Sequence, residues 1–267
     1  MSQEHDETVK DFFVPENRMG ESLESHASPS GKYSLEITSY GSTTKGLGAQ
    51  GIVKRGDMVV AVVNRNYDHF PFAWTERHAN GHDYLICSED YMGQTIIELD
   101  TDERRDFVSE DEGFCWVNYS VSPNRQFVAV DGCYWACPYE LCIVDFSEPL
   151  VLPYKKLWEG HFARSVRKFT WKEDNRLEFL YALEYNAELK KFTDQMTNEE
   201  RVAHYKGKVR NDWRIKAMWR YPDQQTVIET QQLGPKCTDG YKKDFAARWI
   251  NWDDTPESLG CTAEEQL

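Results

Sequence analysis

Short segments of alternating or β-branched residues recur along the chain and are separated by polar turns. The segments at 33–37, 84–87, 127–130 and 177–179 each begin with a large apolar residue that follows turn-forming residues. A period of two is typical of β-strands, whereas an amphipathic helix repeats about every 3.6 residues. The hydrophobic pattern therefore predicts a protein built mainly from short strands.

These segments recur at a similar interval. Aligning Tyr33, Tyr84, Phe127 and Leu177 gives spacings of 51, 43 and 50 residues. A period of this length is typical of repeat architectures, in which each repeat is one small structural unit.

The second and third repeats continue in the same way. Residues 95–100 and 141–145 are apolar strands that both end in aspartate and are followed by a turn. Each of these two repeats therefore contains strand, loop and strand in the same order. One such sheet cannot bury both of its faces alone, so several sheets must pack together.

The turns that open two of the strands, Ser28-Pro-Ser-Gly-Lys-Tyr33 and Ser122-Pro-Asn-Arg-Gln-Phe127, resemble the Ser-Pro-Asp-Gly-Lys turn of β-propeller repeat proteins with WD40-like or TolB-like blades. Residues 95–104 resemble the outer strand of such blades. The resemblance covers roughly residues 28–180 and extends more weakly to 233. It implies an all-β fold, a small β-propeller-like array of about four antiparallel four-stranded sheets. A twisted sandwich or an open stack of sheets is the alternative.

One segment interrupts the strand pattern. Residues 186–210 have helical character, and Thr197 with Glu200 fits a capping box at a helix start. Strand character resumes at 215–220 and 226–230. We therefore expect a helical insertion within the fourth sheet.

Charge distinguishes the ends of the chain from its middle. Residues 1–20 and 253–267 are predicted to be flexible acidic tails, which leaves 21–252 as a single domain. The formal net charge is −14, and the segment 201–216 is basic. Because an acidic protein repels nucleic acid phosphates and anionic membranes, we expect neither as a partner. The alternatives for the basic segment 201–216 are anion or nucleic acid binding and pairing with an acidic tail.

Cysteine content and hydropathy indicate the compartment. The chain has seven cysteines, short apolar runs only, and no basic and apolar leader at its N-terminus. Free thiols are typical of a reducing compartment, so we expect a cytoplasmic protein. Cys87 and Cys142 lie within apolar strands and are predicted core residues.

Three motifs suggest specific chemistry, and each has a simpler interpretation. Residues 46–51 match the dinucleotide fingerprint Gly-x-Gly-x-x-Gly, but a hairpin follows instead of a helix, so we interpret them as a flexible strand connector. Cys133 and Cys137 fit one half of a zinc site, without a second pair. His78 and His82 flank a turn and are interpreted as exposed turn histidines. We therefore expect no metal and no cofactor.

The loop at 131–140 combines a glycine and a proline with three large aromatic residues, and its counterpart in the preceding repeat lies at 88–94. Aromatic side chains with few rotors are enriched at binding hot spots. The alternative is that these rings pack on a neighbouring sheet. The predicted binding residues are Tyr134, Trp135, Tyr139, Tyr91 and Met92.

The sequence contains no Gly-x-Ser-x-Gly, P-loop or His-Glu-x-x-His motif. We therefore predict a non-enzymatic module that binds a protein partner through loops on one face of a repeat scaffold. The alternative is a propeller hydrolase or lyase that acts on a carbohydrate or lactone in an axial channel.

Overall fold

A computed structural model of the chain describes residues 11–44, 46–110, 113–134, 140–160, 168–186, 188–206, 211–221 and 224–235. This part of the chain contains mostly strands, with the 3-10 helices Pro15–Asn17 and Thr193–Gln195 and one α-helix, α1 (Asn198–Lys206). Within it, no helix is both long and apolar enough to cross a membrane.

The chain divides into two compact units. The first comprises Met1–Cys137 and Cys142–Trp158, and the second comprises Pro138–Leu141 and Glu159–Leu267. The prediction of one continuous domain over residues 21–252 stays a prediction.

The first unit holds two complete antiparallel sheets and most of a third, each made of four consecutive strands in sequential order. Sheet I consists of β1 (Arg18–Ala27), β2 (Tyr33–Ser42), β3 (Gly46–Arg55) and β4 (Met58–Arg65). Sheet II consists of β5 (Ala73–Thr75), β6 (Tyr84–Cys87), β7 (Gly93–Glu98) and β8 (Glu103–Val108). Sheet III consists of β9 (Phe114–Val121), β10 (Phe127–Tyr134), β11 (Glu140–Asp145) and β12 (Lys156–Gly160).

The second unit holds sheet IV. Its strands are β13 (Lys168–Trp171), β14 (Leu177–Asn186), β15 (Lys191–Phe192), β16 (Asn211–Arg220) and β17 (Gln224–Pro235). The order is β13-β14-β16-β17, and the two-residue strand β15 pairs with β14. The predicted all-β fold of about four antiparallel four-stranded sheets is therefore confirmed, with one short additional strand in sheet IV.

The first turn of each sheet has the same backbone structure. The residue that opens the turn accepts a hydrogen bond from the backbone N–H three positions later in all four sheets, at 2.8–2.9 Å. That later residue has a positive φ, which glycine and asparagine adopt most readily. The four residues are Gly31, Gly81, Arg125 and Asn175.

The aligned residues of the sequence repeat are structurally equivalent. Tyr33, Tyr84, Phe127 and Leu177 are each the first residue of the second strand in their sheet, and all four side chains are buried. The repeat alignment made from the sequence is confirmed.

Sheet II is buried on both of its faces. Successive residues of a strand point to opposite faces, so one strand supplies two cores. The face toward sheet I carries Leu85, Cys87 and Ile97. The face toward sheet III carries Tyr84, Ile86 and Ile96.

The predicted helix is present between β15 and β16. The hydroxyl Oγ1 of Thr197 accepts a hydrogen bond from the Glu200 N–H at 3.2 Å, and the Glu200 carboxylate accepts one from the Thr197 N–H at 2.9 Å. Lys191 Nζ lies 2.8 Å from the same carboxylate. The capping box and the helical insertion are both confirmed, although the α-helix covers only Asn198–Lys206 of the predicted 186–210 and Lys191–Phe192 forms a strand.

The interpretation of residues 46–51 as a flexible connector is wrong, because Gly46–Arg55 is strand β3. A side chain at Gly48 would place its Cβ 2.5 Å from the Phe12 ring, and one at Gly51 would come equally close to Phe70. Glycine is therefore present because aromatic rings pack directly on the strand backbone.

Two predicted boundaries also differ. Residues 131–134 belong to β10 and Glu140 opens β11, so the aromatic loop is shorter than predicted. Gly132 stands at a register shift in the β9–β10 ladder, where any Cβ would collide with the Cys115 carbonyl oxygen. At the N-terminus, Phe12 is buried and β1 begins at Arg18, within the segment assigned to the tail.

Arg65, at the end of β4, is 2% exposed and joins sheet I to the loops beside it. Its Nε donates to the carbonyl of His69 at 2.7 Å, and its Nη1 donates to the carbonyls of Ser88 and Asp90 at 2.9 and 3.2 Å. Burial lowers the pKa of the guanidinium below its usual value. Nothing in the sequence pattern indicated this role.

Replacing Arg65 with methionine keeps much of the apolar stem and removes the donors to three carbonyl groups. We expect the free energy of unfolding to fall by about 2–4 kcal/mol, because those carbonyls lose their partner. Arg105→Met, on the exposed strand β8, is the control, and chemical denaturation is the measurement. A change of less than about 0.5 kcal/mol at Arg65 would contradict the assigned role.

Candidate functional site

Aromatic and methionine side chains meet at one end of the first unit. Antiparallel connectivity brings together the loop after β4, the β6–β7 turn, the start of β9 and the end of β10. We call the residues found there the aromatic loop surface: Tyr67, Tyr91, Met92, Phe114 and Tyr134.

Ring contacts connect these residues in pairs. The rings of Tyr67 and Tyr91 lie 5.1 Å apart, and those of Phe114 and Tyr134 lie 5.1 Å apart with an edge-to-face geometry. A hydrogen bond with Cys115 is the largest cause that raises the pKa of Tyr91, and burial adds to it. Because Cys115 lies in β9, Tyr91 lies beside the pair formed by Phe114 and Tyr134. Tyr67 is 45% exposed and provides the most open apolar area.

The backbone beneath the surface is held by side chains. Asn66 Nδ2 donates to the Asp90 carboxylate at 2.7 Å, and Asn66 Oδ1 accepts the Tyr91 N–H at 2.8 Å. The other Asp90 oxygen accepts the Met92 N–H at 2.8 Å. Together with Arg65, these contacts fix two loops against each other, so the rings are pre-positioned.

Lys156 gives this surface one positive charge. Its Nζ donates to the Tyr134 hydroxyl and lies 5.2 Å from the centre of that ring. The Tyr134 side chain is therefore held at its hydroxyl by the Lys156 ammonium and at its ring by Phe114.

The structure brings together three of the five predicted binding residues, namely Tyr91, Met92 and Tyr134. The predicted residues Trp135 and Tyr139 lie outside the described residues. Sequence reasoning missed Tyr67 and Phe114. Tyr67 stands between an asparagine and an aspartate, and Phe114 follows a glycine. These turn-forming neighbours were the sequence signal that could have identified both residues as loop aromatics.

A second cluster surrounds His82 in sheet II. Its Nδ1 lies 2.7 Å from Asp100 Oδ2 and 3.4 Å from Glu98 Oε1. The buried Glu98 carboxylate accepts hydrogen bonds from the hydroxyls of Tyr84 and Thr101 at 2.7 and 2.6 Å. Among the described residues, only these three ligand atoms lie close enough together to hold a metal ion. Their hydrogen bonds also account for the cluster as a network that supports the sheet.

The interpretation of His78 as an exposed histidine is wrong. It is 3% exposed, its Nε2 lies 3.0 Å from the Phe146 carbonyl oxygen, and its ring meets those of Tyr84 and Phe146 edge to face. His82 is only partly exposed. The turn between β5 and β6 packs against sheet III, which sequence spacing could not show.

The hydrogen bond to Asp100 raises the pKa of His82 above its usual value, and the negative charge of Glu98 adds to this effect. Burial acts in the opposite direction but does not cancel it. A raised folded-state pKa means that protonated His82 stabilises the fold below about pH 6.5 and loses this effect as pH rises through the folded value. We expect the coupling free energy between His82→Gln and Asp100→Asn to be larger at about pH 5.5 than at about pH 8.5. Urea denaturation of the double-mutant cycle measures it. A coupling that is equal at both pH values would disprove the assignment.

The cysteines among the described residues are core residues. Cys87, Cys115, Cys133 and Cys142 are all buried, which confirms the prediction for Cys87 and Cys142. Burial raises the pKa of Cys87 to about 12, so this thiol is a poor nucleophile at neutral pH. Cys137 lies outside the described residues, and the expectation that no zinc is bound stays a prediction.

No known family profile matches the chain. The chain is 32% identical over 183 residues to "Uncharacterized protein R762" of Acanthamoeba polyphaga mimivirus, an alignment that covers 65% of the chain and 71% of the viral protein. The chain belongs to the R762 family. The name of this viral relative states no activity and no partner, so membership of the R762 family does not indicate a function.

Solved structures similar to this R762-family chain include U3-55K, with 9% identity and a TM-score of 0.43, and the WD40 repeats of RRP9, with 9% identity and a TM-score of 0.42. These alignments cover 82% and 80% of the chain. The chain spans 57% and 55% of those two structures.

Proposed function

We propose that this protein is a non-enzymatic binding module that docks a protein partner on the aromatic loop surface. The observation that carries the proposal is the convergence of Tyr67, Tyr91, Met92, Phe114 and Tyr134 from four separate loop or strand ends. Tyrosine offers apolar area with a polar tip and loses little rotamer entropy on binding, which suits an interface.

Pre-organisation supports the same proposal. The hydrogen bonds of Asn66 and Asp90 hold the backbone of the β6–β7 turn before any partner arrives. Binding then requires less ordering of loops, and more of the contact energy contributes to affinity.

Charge around the surface indicates the chemistry of the partner. Asp68 and Glu110 are exposed on the loops beside the aromatic residues and outweigh the single positive charge of Lys156, in a protein with net charge −14. A partner with an apolar centre and a basic rim would match this distribution, and we do not expect nucleic acid. The buried free thiols of Cys87 and Cys115 suit the cytoplasmic location that we propose for the module.

The enzyme alternative has one observation in its favour. A cavity of about 290 Å³ in the first unit is lined by the side chains of His26, His69, Glu24 and Asp68, among others. We rank it second because His26 Nε2 already pairs with Glu24 at 3.2 Å, and His69 Nε2 lies 3.2 Å from the Val117 carbonyl oxygen. Hydrolysis of carbohydrate or lactone substrates that is lost in His69→Ala would favour it.

Replacing Tyr67 with serine removes exposed apolar area from the aromatic loop surface. We expect the affinity for the partner to fall about tenfold or more, with little change in melting temperature, because the ring is not part of the core. Trp135→Ala is predicted to behave in the same way. The measurements are co-purification from cells that express the protein, then titration calorimetry with the purified partner.

The matched control is Tyr221→Ser, which removes a tyrosine that is 55% exposed in the second unit. It should leave the affinity unchanged. Equal loss of affinity in Tyr67→Ser and Tyr221→Ser, or no loss in either variant, would exclude the aromatic loop surface as the docking site. A large fall in the melting temperature of Tyr67→Ser would show that packing was mistaken for binding.

A further inference from the structure

A cavity of about 420 Å³ lies in the first unit at the end opposite the aromatic loop surface. The first turns of sheets I, II and III form it, and its lining includes Pro29, Trp74, Thr75, Arg77, Pro123 and Arg125. The volume lies within the range of ligand pockets in proteins. The two prolines give it rigid apolar walls.

Two polar atoms of the lining residues have no hydrogen-bond partner. Trp74 Nε1 and Thr75 Oγ1 are both shielded from solvent, and Thr75 as a whole is only 2% exposed. An unpaired buried polar group destabilises a protein by about 1–3 kcal/mol. The two side chains lie on opposite faces of β5, so each leaves unused hydrogen-bonding capacity in the wall near the cavity, and the indole N–H can only donate.

Two arginines add further donors. Arg77 is exposed and Arg125 is partly exposed, and among the described residues neither guanidinium has an ion-pair or hydrogen-bond partner. By contrast, Arg55, Arg104 and Arg105 all pair with carboxylates. Among the described residues, Arg18 and Arg220 also lack an ion-pair partner, but neither is a lining residue of this cavity, whereas Arg77 and Arg125 both are.

Backbone conformation supports a role for these two side chains. Arg77 and Arg125 have φ values of 56° and 62°. At the positions equivalent to Arg125, the turns of the other sheets have Gly31, Gly81 and Asn175, the residue types that adopt this conformation readily. Arginine at positive φ is conformationally unfavourable, and such strain is concentrated at functional sites.

The carboxylate in the lining is already satisfied. Glu76 Oε1 accepts hydrogen bonds from the hydroxyls of Ser28 and Ser30, and Glu76 Oε2 accepts the Ser30 N–H at 2.9 Å. The groups without a partner are therefore the two guanidinium groups, the indole N–H of Trp74 and the hydroxyl of Thr75. A ligand that fits must be an acceptor, and a planar carboxylate matches guanidinium geometry.

We propose that this cavity binds a carboxylate of a partner polypeptide, supplied by an acidic side chain or a chain terminus, through Arg77 and Arg125, with Trp74 in the wall beside it. The apolar walls favour a peptide over a small inorganic anion. The site is separate from the aromatic loop surface and does not depend on the function proposed for it.

The test follows the indole N–H resonance of Trp74 by two-dimensional NMR, with Trp74→Phe for assignment. The probes are an acetylated Ala-Ala-Glu-Ala-Ala amide, acetylated penta-alanine with a free carboxylate, an acetylated Ala-Ala-Gln-Ala-Ala amide, and inorganic phosphate. We expect the resonance to move in a saturable manner with at least one carboxylate peptide. The first two probes distinguish a side-chain from a terminal carboxylate.

The double variant Arg77→Gln/Arg125→Gln should weaken this binding about tenfold or more, since each charge-assisted bond contributes strongly. The control Arg105→Gln/Arg220→Gln removes the same charge elsewhere and should bind as the wild type does. Equal binding of the glutamine peptide, no saturable shift with any peptide, or equal weakening in both double variants would overturn the proposal. Binding of phosphate in preference to the peptides would assign the site to inorganic anions and would also overturn it.

Discussion

Sheet II carries apolar side chains on both of its faces, and neither face is stable in water. Burial of apolar area contributes roughly 25 cal/mol per Å², so each face requires a neighbouring sheet to cover it. Sheet I covers the face of Leu85 and Ile97, and sheet III covers the face of Tyr84 and Ile96. The order of the three sheets in the first unit follows from this requirement.

The loops depend on the same packing. When sheets I and II stack, the end of β4 comes beside the β6–β7 turn. Arg65 then donates to the carbonyl of His69, in the loop after β4, and to the carbonyl of Ser88, in the β6–β7 turn. Asn66 and Asp90 add the contacts that orient Tyr91. The arrangement of rings on the aromatic loop surface is therefore a consequence of sheet stacking rather than of loop sequence alone.

Features encoded locally could be predicted from the sequence. The period-two pattern located Tyr33, Tyr84, Phe127 and Leu177 at equivalent strand starts, because strand alternation and turn chemistry are properties of neighbouring residues. The Thr197 capping box was found for the same reason, since both partners lie within one helical turn.

Features that depend on distant partners could not be predicted. Glycine at 48 and 51 is explained only by Phe12 and Phe70, which arrive from other parts of the chain. His78 is buried because it meets Phe146, 68 residues away. In the candidate site, Tyr91 and Met92 were found as counterparts of the aromatic loop, whereas Phe114 joined them only through the register of β9 and β10.

The helix inserted between β14 and β16 has a consequence for variation within the family. Nine consecutive residue pairs, from Leu177↔Trp219 to Tyr185↔Asn211, connect the two strands without a register shift, although β15 and α1 intervene in sequence. Lengthening a loop changes its closure entropy only logarithmically. Evolution can therefore expand, shorten or replace this connection while the ladder stays intact, which makes it a natural place for new peptide modules to be acquired.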